Sequence, residues 1–280
     1  MILTGSAAVT FILRRMAAML ALASLAACAT PKDAAPPEPE GTLPGYEAVV
    51  DGGFEIKQVD LRHLSGDRAR AIVHYTGTEA PGTIVVDIHS RRLYHVMEGG
   101  FAMRYAIAVG REGLSFTGTG VIGRMAKWPS WQPTANMIKT RPDLYLEYAA
   151  GMQGGPKNPL GARAMYLYRN GRDTMFRIHG TIDNPSIGMA TSAGCIRLYN
   201  QDAIELYSHV KPGTVVKVRT LEESLAAEGP YMDDARGLAV PDTEANRLKL
   251  AEDLAAMAAA EAAAAEAALK AQQEALTASN

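Results

Sequence analysis

Residues 178–198 read IHGTIDNPSIGMATSAGCIRL and hold a cysteine and a histidine, residue types that could act as a nucleophile and its base. Cys195 stands in Ser192-Ala193-Gly194-Cys195-Ile196-Arg197, and His179 lies sixteen positions earlier, directly before Gly180. A cysteine attacks as its thiolate, so it needs a partner that lowers the thiol pKa. An imidazole is the usual one, taking the thiol proton and later exchanging protons with amines. Gly194 lets backbone come close to a reacting carbonyl, and the amides of Gly194 and Cys195 would then form an oxyanion hole. Arg197, two positions on, shares a side with Cys195 in an extended segment, where it would hold a substrate carboxylate or favour the thiolate. Plainer readings exist: a cysteine as a small buried apolar side chain, a histidine as a structural one. A metal reading is weaker still, because His63, His74, His89, His95 and His209 show no ligand spacing with Cys195.

The elements that must carry these residues are mostly strands. Thr83–Ile88 is a β-branched run after Pro81-Gly82, and Arg92–Val96 follows a turn at His89-Ser90-Arg91, which predicts a hairpin. Phe101–Val109 reads as one further strand, ended by Gly110. Ala164–Tyr168 and Thr174–Ile178 flank Asn170-Gly171, a strong hairpin signal that puts His179 at a strand end. A last strand, Thr214–Val218, opens after Pro212-Gly213. A helix is expected from Asn200 to Val210, capped by Asn200, with Ala203, Leu206, Tyr207 and Val210 on one face. Gly110–Tyr148 has weak periodicity and reads as an irregular lid. Its Trp128 and Trp131 would either wall a substrate or cap the core. The fold class is mainly β, with one or two helices.

The flanks have other work. Arg14 and Arg15, the apolar run Met16–Ala27 and then Leu25-Ala26-Ala27-Cys28 form a leader that resembles a bacterial lipobox. The leader would be cut before Cys28, which would take lipid; an ordinary signal peptide cut near Ala27-Cys28-Ala29 is the alternative. Ala29 rather than Asp after the lipidated residue predicts sorting to the outer membrane if the cell is Gram-negative. If Cys28 is lipidated, Cys195 is a lone thiol, since the chain has two cysteines. Thr30–Tyr46 holds five prolines and reads as an extended linker. At about 3.1 Å per residue it would hold the body up to roughly 50 Å from a membrane. Residues 251–276 contain 14 alanines and predict a helix with a thin apolar stripe at Leu250, Leu254 and Met257.

Charge divides along the chain. Glu222–Asn280 carries 12 acids and 4 bases, whereas residues 1–221 carry 24 bases and 18 acids. A mildly basic body without dense Lys/Arg runs does not read as a nucleic-acid binder, but it suits work beside an anionic polymer.

The stretch from His179 to Leu198 resembles the active-site signature of L,D-transpeptidases with the YkuD-type catalytic domain: His-Gly, a loop, then Ser-x-Gly-Cys-x-Arg. His179, Gly180, Ser192, Gly194, Cys195 and Arg197 all match. Pro81–Asp87, Gly155–Arg163 and Pro212–Thr214 extend the likeness over roughly residues 48–219. One departure is Ala193, where many members have histidine; this leaves His179 as the imidazole to assign.

The resemblance implies the family's mixed β fold for a catalytic domain at 48–220; the residues themselves give 1–27 as signal peptide, 28–47 as linker and 221–280 as acidic helical tail. It implies acyl transfer on peptidoglycan stem peptides. Cys195 would attack the third-residue carbonyl of a tetrapeptide donor and release D-alanine, and an amine would resolve the thioester. His179 would be the base, its ring oriented by the Gly180 carbonyl. Ser192, Arg197 and Trp131 are the candidate substrate contacts. No metal or cofactor is expected. The acceptor would be diaminopimelate for a 3–3 cross-link, or a lysine of an envelope protein. The alternatives are a cysteine hydrolase on the same substrate and a non-catalytic wall-binding lipoprotein. The expected location is the periplasmic side of the cell envelope.

Overall fold

β-Branched runs bounded by Pro-Gly and Asn-Gly steps set most of the strands. A computed structural model describes residues 43–110, 117–191 and 196–278. Its elements begin with β1 (Val49–Asp51), β2 (Phe54–Ile56), α1 (Leu61–Leu64), β3 (Ala71–His74), β4 (Ile84–Asp87), β5 (Arg92–Met97), β6 (Phe101–Ala106) and β7 (Ala108–Gly110). There follow β8 (Gly118–Lys127), α2 (Ala135–Thr140), α3 (Pro142–Tyr145), β9 (Arg163–Arg169), β10 (Arg172–Thr181), β11 (Ala190–Thr191) and β12 (Ile196–Tyr199). The chain closes with α4 (Asn200–His209), β13 (Val215–Val218), α5 (Leu221–Glu228), β14 (Tyr231–Asp233), β15 (Ala239–Pro241) and α6 (Glu244–Ala278).

The mainly β class is what the described residues show. Eleven strands share one sheet in the order β11-β7-β12-β10-β9-β8-β13-β4-β5-β6-β3. Most neighbours are antiparallel, but β10–β12, β4–β13 and β7–β11 run parallel. The β4–β5 and β9–β10 hairpins form as expected. Asn170 and Gly171 both have positive φ, 51° and 73°, which a tight primed turn requires.

Alternation along the strands separates two cores. Ile178, Ile196 and Leu198 join Ile84, Val86, Leu93, Ile122, Met165 and Leu167, with Ala203 and Leu206 of α4 packed on top. His179, Thr181, Arg197 and Tyr199 therefore take the opposite face. There Tyr199 packs with Tyr46, Val59, Leu64, Ala106, Ala108 and Ile187. The segment from Leu43 to Arg70 thus lies on the sheet face that carries His179.

Three sequence expectations change. Gly118–Lys127, expected as part of an irregular lid, is a ten-residue strand between β9 and β13. Its apolar alternation is interrupted at Gly123, where the register shifts and the Tyr168 ring occupies the space a side chain would fill. The single strand expected over Phe101–Val109 divides at Ile107, because β6 pairs with β5 and β3 whereas β7 pairs with β12 and β11. Asn200 does not cap its helix: the cap position is Tyr199, without a side-chain cap bond, and the Asn200 amide bonds elsewhere.

Packing continues past Thr220. Buried Ser224 donates to Asp87 Oδ1 at 2.8 Å, and Arg219 bridges Asp87 and Glu228 at 3.1 and 2.8 Å. The β14–β15 hairpin buries Leu238 and bonds Ala239 N to Gly188 O at 2.9 Å. Beyond it, α6 is exposed through nearly all of its length, including Leu248, Leu254, Met257 and Leu269. Among the described residues no helix is long and apolar enough to cross a membrane.

Candidate active site

The chemistry gathers where β10 and β12 lie side by side. Their parallel register sets His179 beside Arg197 and Gly180 beside Leu198. β12 opens at Ile196, the residue after Cys195 in the chain. Cys195 itself, with Ser192 and Gly194, lies outside the described residues, as does Cys28.

His179 is buried, 4% exposed. Its Nδ1 lies 2.6 Å from the carbonyl oxygen of Gly180. A carbonyl only accepts, so Nδ1 carries the proton and Nε2 presents its lone pair. Burial pushes the imidazole pKa down to about 4; the Gly180 bond opposes this, and the Arg197 and Arg177 charges add to it. The ring is therefore neutral near pH 7, the state a base requires.

Arg197 is half-buried, with Asp183 Oδ2 3.6 Å from its Nη1. It is thus held from the turn that follows Thr181, rather than being aimed at His179 by an ion pair. Trp131 sits apart in an aromatic cluster, its ring 6.3 Å from that of Tyr145 and 6.1 Å from that of Tyr148. Backbone bonds of 2.8 and 2.7 Å tie Trp131 to Met152. Trp131 therefore walls the α2–α3 segment, and no contact with His179 is found among its described ring and backbone partners.

Trp128 is the tryptophan nearer the site. It lines a groove of about 330 Å³ with Lys57, Asp60, His63, Thr181 and Asn200. Its Nε1 donates to Asp51 Oδ2 at 2.8 Å, and its ring packs 4.7 Å from Phe54. Arg163, buried, meets Asp51 in a two-pronged pair at 2.7 Å on each oxygen. The β1–β2 hairpin is thereby pinned against the start of β9, next to the strand end that carries His179.

A second anchor holds the N-terminal segment to α4. Asp202 is fully buried; it accepts from Arg70 Nη1 at 2.7 Å and from Tyr46 Oη at 3.1 Å. Burial pushes the Asp202 carboxyl up to about 7, against the pull of these two donors. Gln201 Nε2 donates to the carbonyls of Glu47 and Lys57 at 3.2 and 2.9 Å, and Tyr199 Oη donates to His63 O at 2.6 Å. None of Asp51, Arg163, Asp202 or Tyr46 stands out in the sequence as a site residue. Their partners lie far along the chain, 156 positions for Tyr46 and Asp202, so no local pattern marks them.

Among the described residues no group of His, Cys, Asp and Glu could hold a metal ion. Comparison with known proteins gives a consistent family. The model of the YkuD L,D-transpeptidase catalytic domain matches residues 81–218. "Probable L,D-transpeptidase YcfS" of Escherichia coli is 34% identical over 66% of this chain and 55% of its own length. The chain thus spans about half the length of that relative. "Putative L,D-transpeptidase in ATP synthase subunits region ORF 5" of Fuscovulum blasticum is also 34% identical, over 73% of this chain and 96% of its own. A solved structure described as "Probable carnitine operon oxidoreductase caia" from Brucella melitensis is 44% identical, covering 56% of this chain and 96% of that one, with a TM-score of 0.40. Identity at this level through nearly the whole of the Fuscovulum relative places the chain in the L,D-transpeptidase family.

Proposed function

We propose that this chain is a peptidoglycan L,D-transpeptidase with Cys195 as its nucleophile. The observation that carries the reading is His179: buried, uncharged near pH 7, its Nδ1–H committed to Gly180 O and its Nε2 lone pair left for a proton. Its strand neighbour β12 opens at Ile196, the residue that follows Cys195 in the sequence.

In this mechanism His179 Nε2 takes the Cys195 proton. The thiolate adds to the carbonyl of the third stem residue of a tetrapeptide donor. Backbone amides at Gly194 and Cys195 hold the developing oxyanion. The tetrahedral intermediate collapses to a thioester, and the imidazolium returns its proton to the departing D-alanine amine. An acceptor amine, diaminopimelate or a lysine of an envelope protein, then attacks the thioester, with His179 again as base. Gly180 serves as the orienting partner that an acid supplies in a serine triad. Arg197 and Ser192 contact substrate; Trp131 forms the outer aromatic wall. The chain is exported, lipidated at Cys28 and held in the envelope, with the outer membrane as its site.

Incubation of the full chain with purified muropeptides, read by mass spectrometry, tests this. Cross-linked dimers with loss of D-alanine are expected. Shortened monomers alone would make it a hydrolase, and no change with no carbapenem adduct on Cys195 would make it a wall-binding protein.

A further inference from the structure

The bond that orients His179 depends on where the Gly180 carbonyl points, and the structure contains a clamp on the next carbonyl along the strand, that of Thr181. Asn200 Nδ2 donates to the Thr181 carbonyl at 3.0 Å. Asn200 Oδ1 accepts from Ala162 N at 2.8 Å. A carbonyl only accepts and a backbone N–H only donates, so the amide has a single orientation. It ties the Thr181 carbonyl, one residue beyond Gly180, to the turn that leads into β9.

The space around this amide is closed. A Cβ on Gly180 would fall 2.2 Å from Asn200 Oδ1. A Cβ on Gly161 would fall 2.2 Å from the same atom and 2.7 Å from the Gly180 carbonyl carbon. Gly161 also has φ +62°, in the left-handed region that favours glycine. Ala162 is fixed from its other side, where its carbonyl accepts from Trp128 N and Arg163 Nη1, each at 2.8 Å. The Asn200 side chain therefore fills a slot that two glycines leave open, and its far end rests on a braced turn. As the first residue of α4, it draws its own position from a helix packed on the core.

We propose that Asn200 is a positioning residue for the reaction. By clamping Gly180-Thr181 against Gly161-Ala162, it fixes the carbonyl that holds His179 in the Nδ1–H tautomer with Nε2 free. The proposal rests on the reading of His179 as the base.

The test uses the full chain with Asn200→Ala and Asn200→Asp. The aspartate keeps the volume and the acceptor for Ala162 N but loses the donor to Thr181 O. Turnover on a tetrapeptide donor with an amine acceptor gives kcat and KM, and nitrogen NMR of ring-labelled histidine gives the His179 tautomer. In both variants kcat is expected to fall about 10–100-fold, the size of effect that misplacing a reacting group produces. KM should move by less than about threefold, because a group that orients the base acts in the transition state. The His179 signals should change from one tautomer to an exchanging mixture. In a His179→Ala background, Asn200→Asp should cause no further loss. The proposal is overturned if the folded Asn200→Asp chain keeps the parent tautomer and kcat while His179→Ala abolishes turnover. It is also overturned if both Asn200 variants lose the folded state by circular dichroism, since the role is then structural. If His179→Ala alone leaves turnover intact, the base assignment fails and takes this proposal with it.

Discussion

At pH 7 His179 holds a proton on Nδ1 and none on Nε2, the state in which it can take a proton from a thiol. Cys195→Ala should abolish turnover in a chain that still folds, because no thioester forms without the sulfur. His179→Ala should cost about 10²–10⁴-fold in kcat, the usual contribution of a positioned base. Alkylation of Cys195 by iodoacetamide near pH 7 should slow in the same variant, and unchanged alkylation would separate His179 from the thiol. The depressed pKa also has a sign in stability. The unfolded chain protonates this imidazole near pH 6.5, whereas the folded chain resists until about pH 4. The unfolded state therefore binds more protons in that window, and stability falls as pH falls from about 6.5 to 4. Thermal melts of His179→Gln against the parent should show the variant gaining relative stability across that window. A constant difference between the two would mean that His179 titrates normally in the folded chain.

At the scale of elements, the β1–β2 hairpin is held as a wall rather than left as an arm. Asp51 is its anchor, and Asp51→Ala would leave the buried Arg163 guanidinium without its carboxylate. A loss of about 3 kcal/mol in urea unfolding is expected, within the range for removing one partner of a buried pair. A loss under about 0.5 kcal/mol, typical of an exposed pair, would show that the hairpin is not held by this contact. The strands that carry the site were legible from β-branched runs and Asn170-Gly171, because local turn chemistry and β propensity agree there. Strand β8 was not, because Gly118, Gly120 and Gly123 interrupt its pattern, and its place between β9 and β13 is set by distant partners. Asn200 was legible as polar and at a helix start, which is the profile of a cap. Only the strand end at Thr181 and the turn at Ala162, remote in sequence, show where its amide goes. The Asp51–Arg163 pair was hidden for the same reason, since 112 positions separate its members.

On the scale of the molecule, the body and the long helix are separable. Truncation after Thr243 should leave thermal stability and turnover on soluble stem peptides unchanged within error, because α6 is exposed along nearly its whole length. Truncation after Thr220 should unfold the chain, because it removes Ser224 and Glu228 from Asp87, Arg219 and Tyr94. Soluble truncated protein that folds after Thr220 would place the boundary there instead. At the other end, Cys28→Ser tests the proposed anchor: the altered chain should leave the membrane fraction or keep its leader.

The parallel pairing of β4 with β13 has a consequence for how the chain is made. β4 lies in the interior of the sheet, yet one of its two neighbours is the last strand of the eleven to be synthesised. Arg219, just after β13, then closes on Asp87 from 132 positions away. Closing so long a loop delays the centre of the sheet until nearly all of the body is present. A nascent chain emerging from the ribosome would hold β4–β5–β6 as a meander with one raw edge. That edge is a template for wrong partners during synthesis and a point where a holding chaperone would bind. The same delay keeps the polypeptide threadable, which is compatible with the export proposed for this chain.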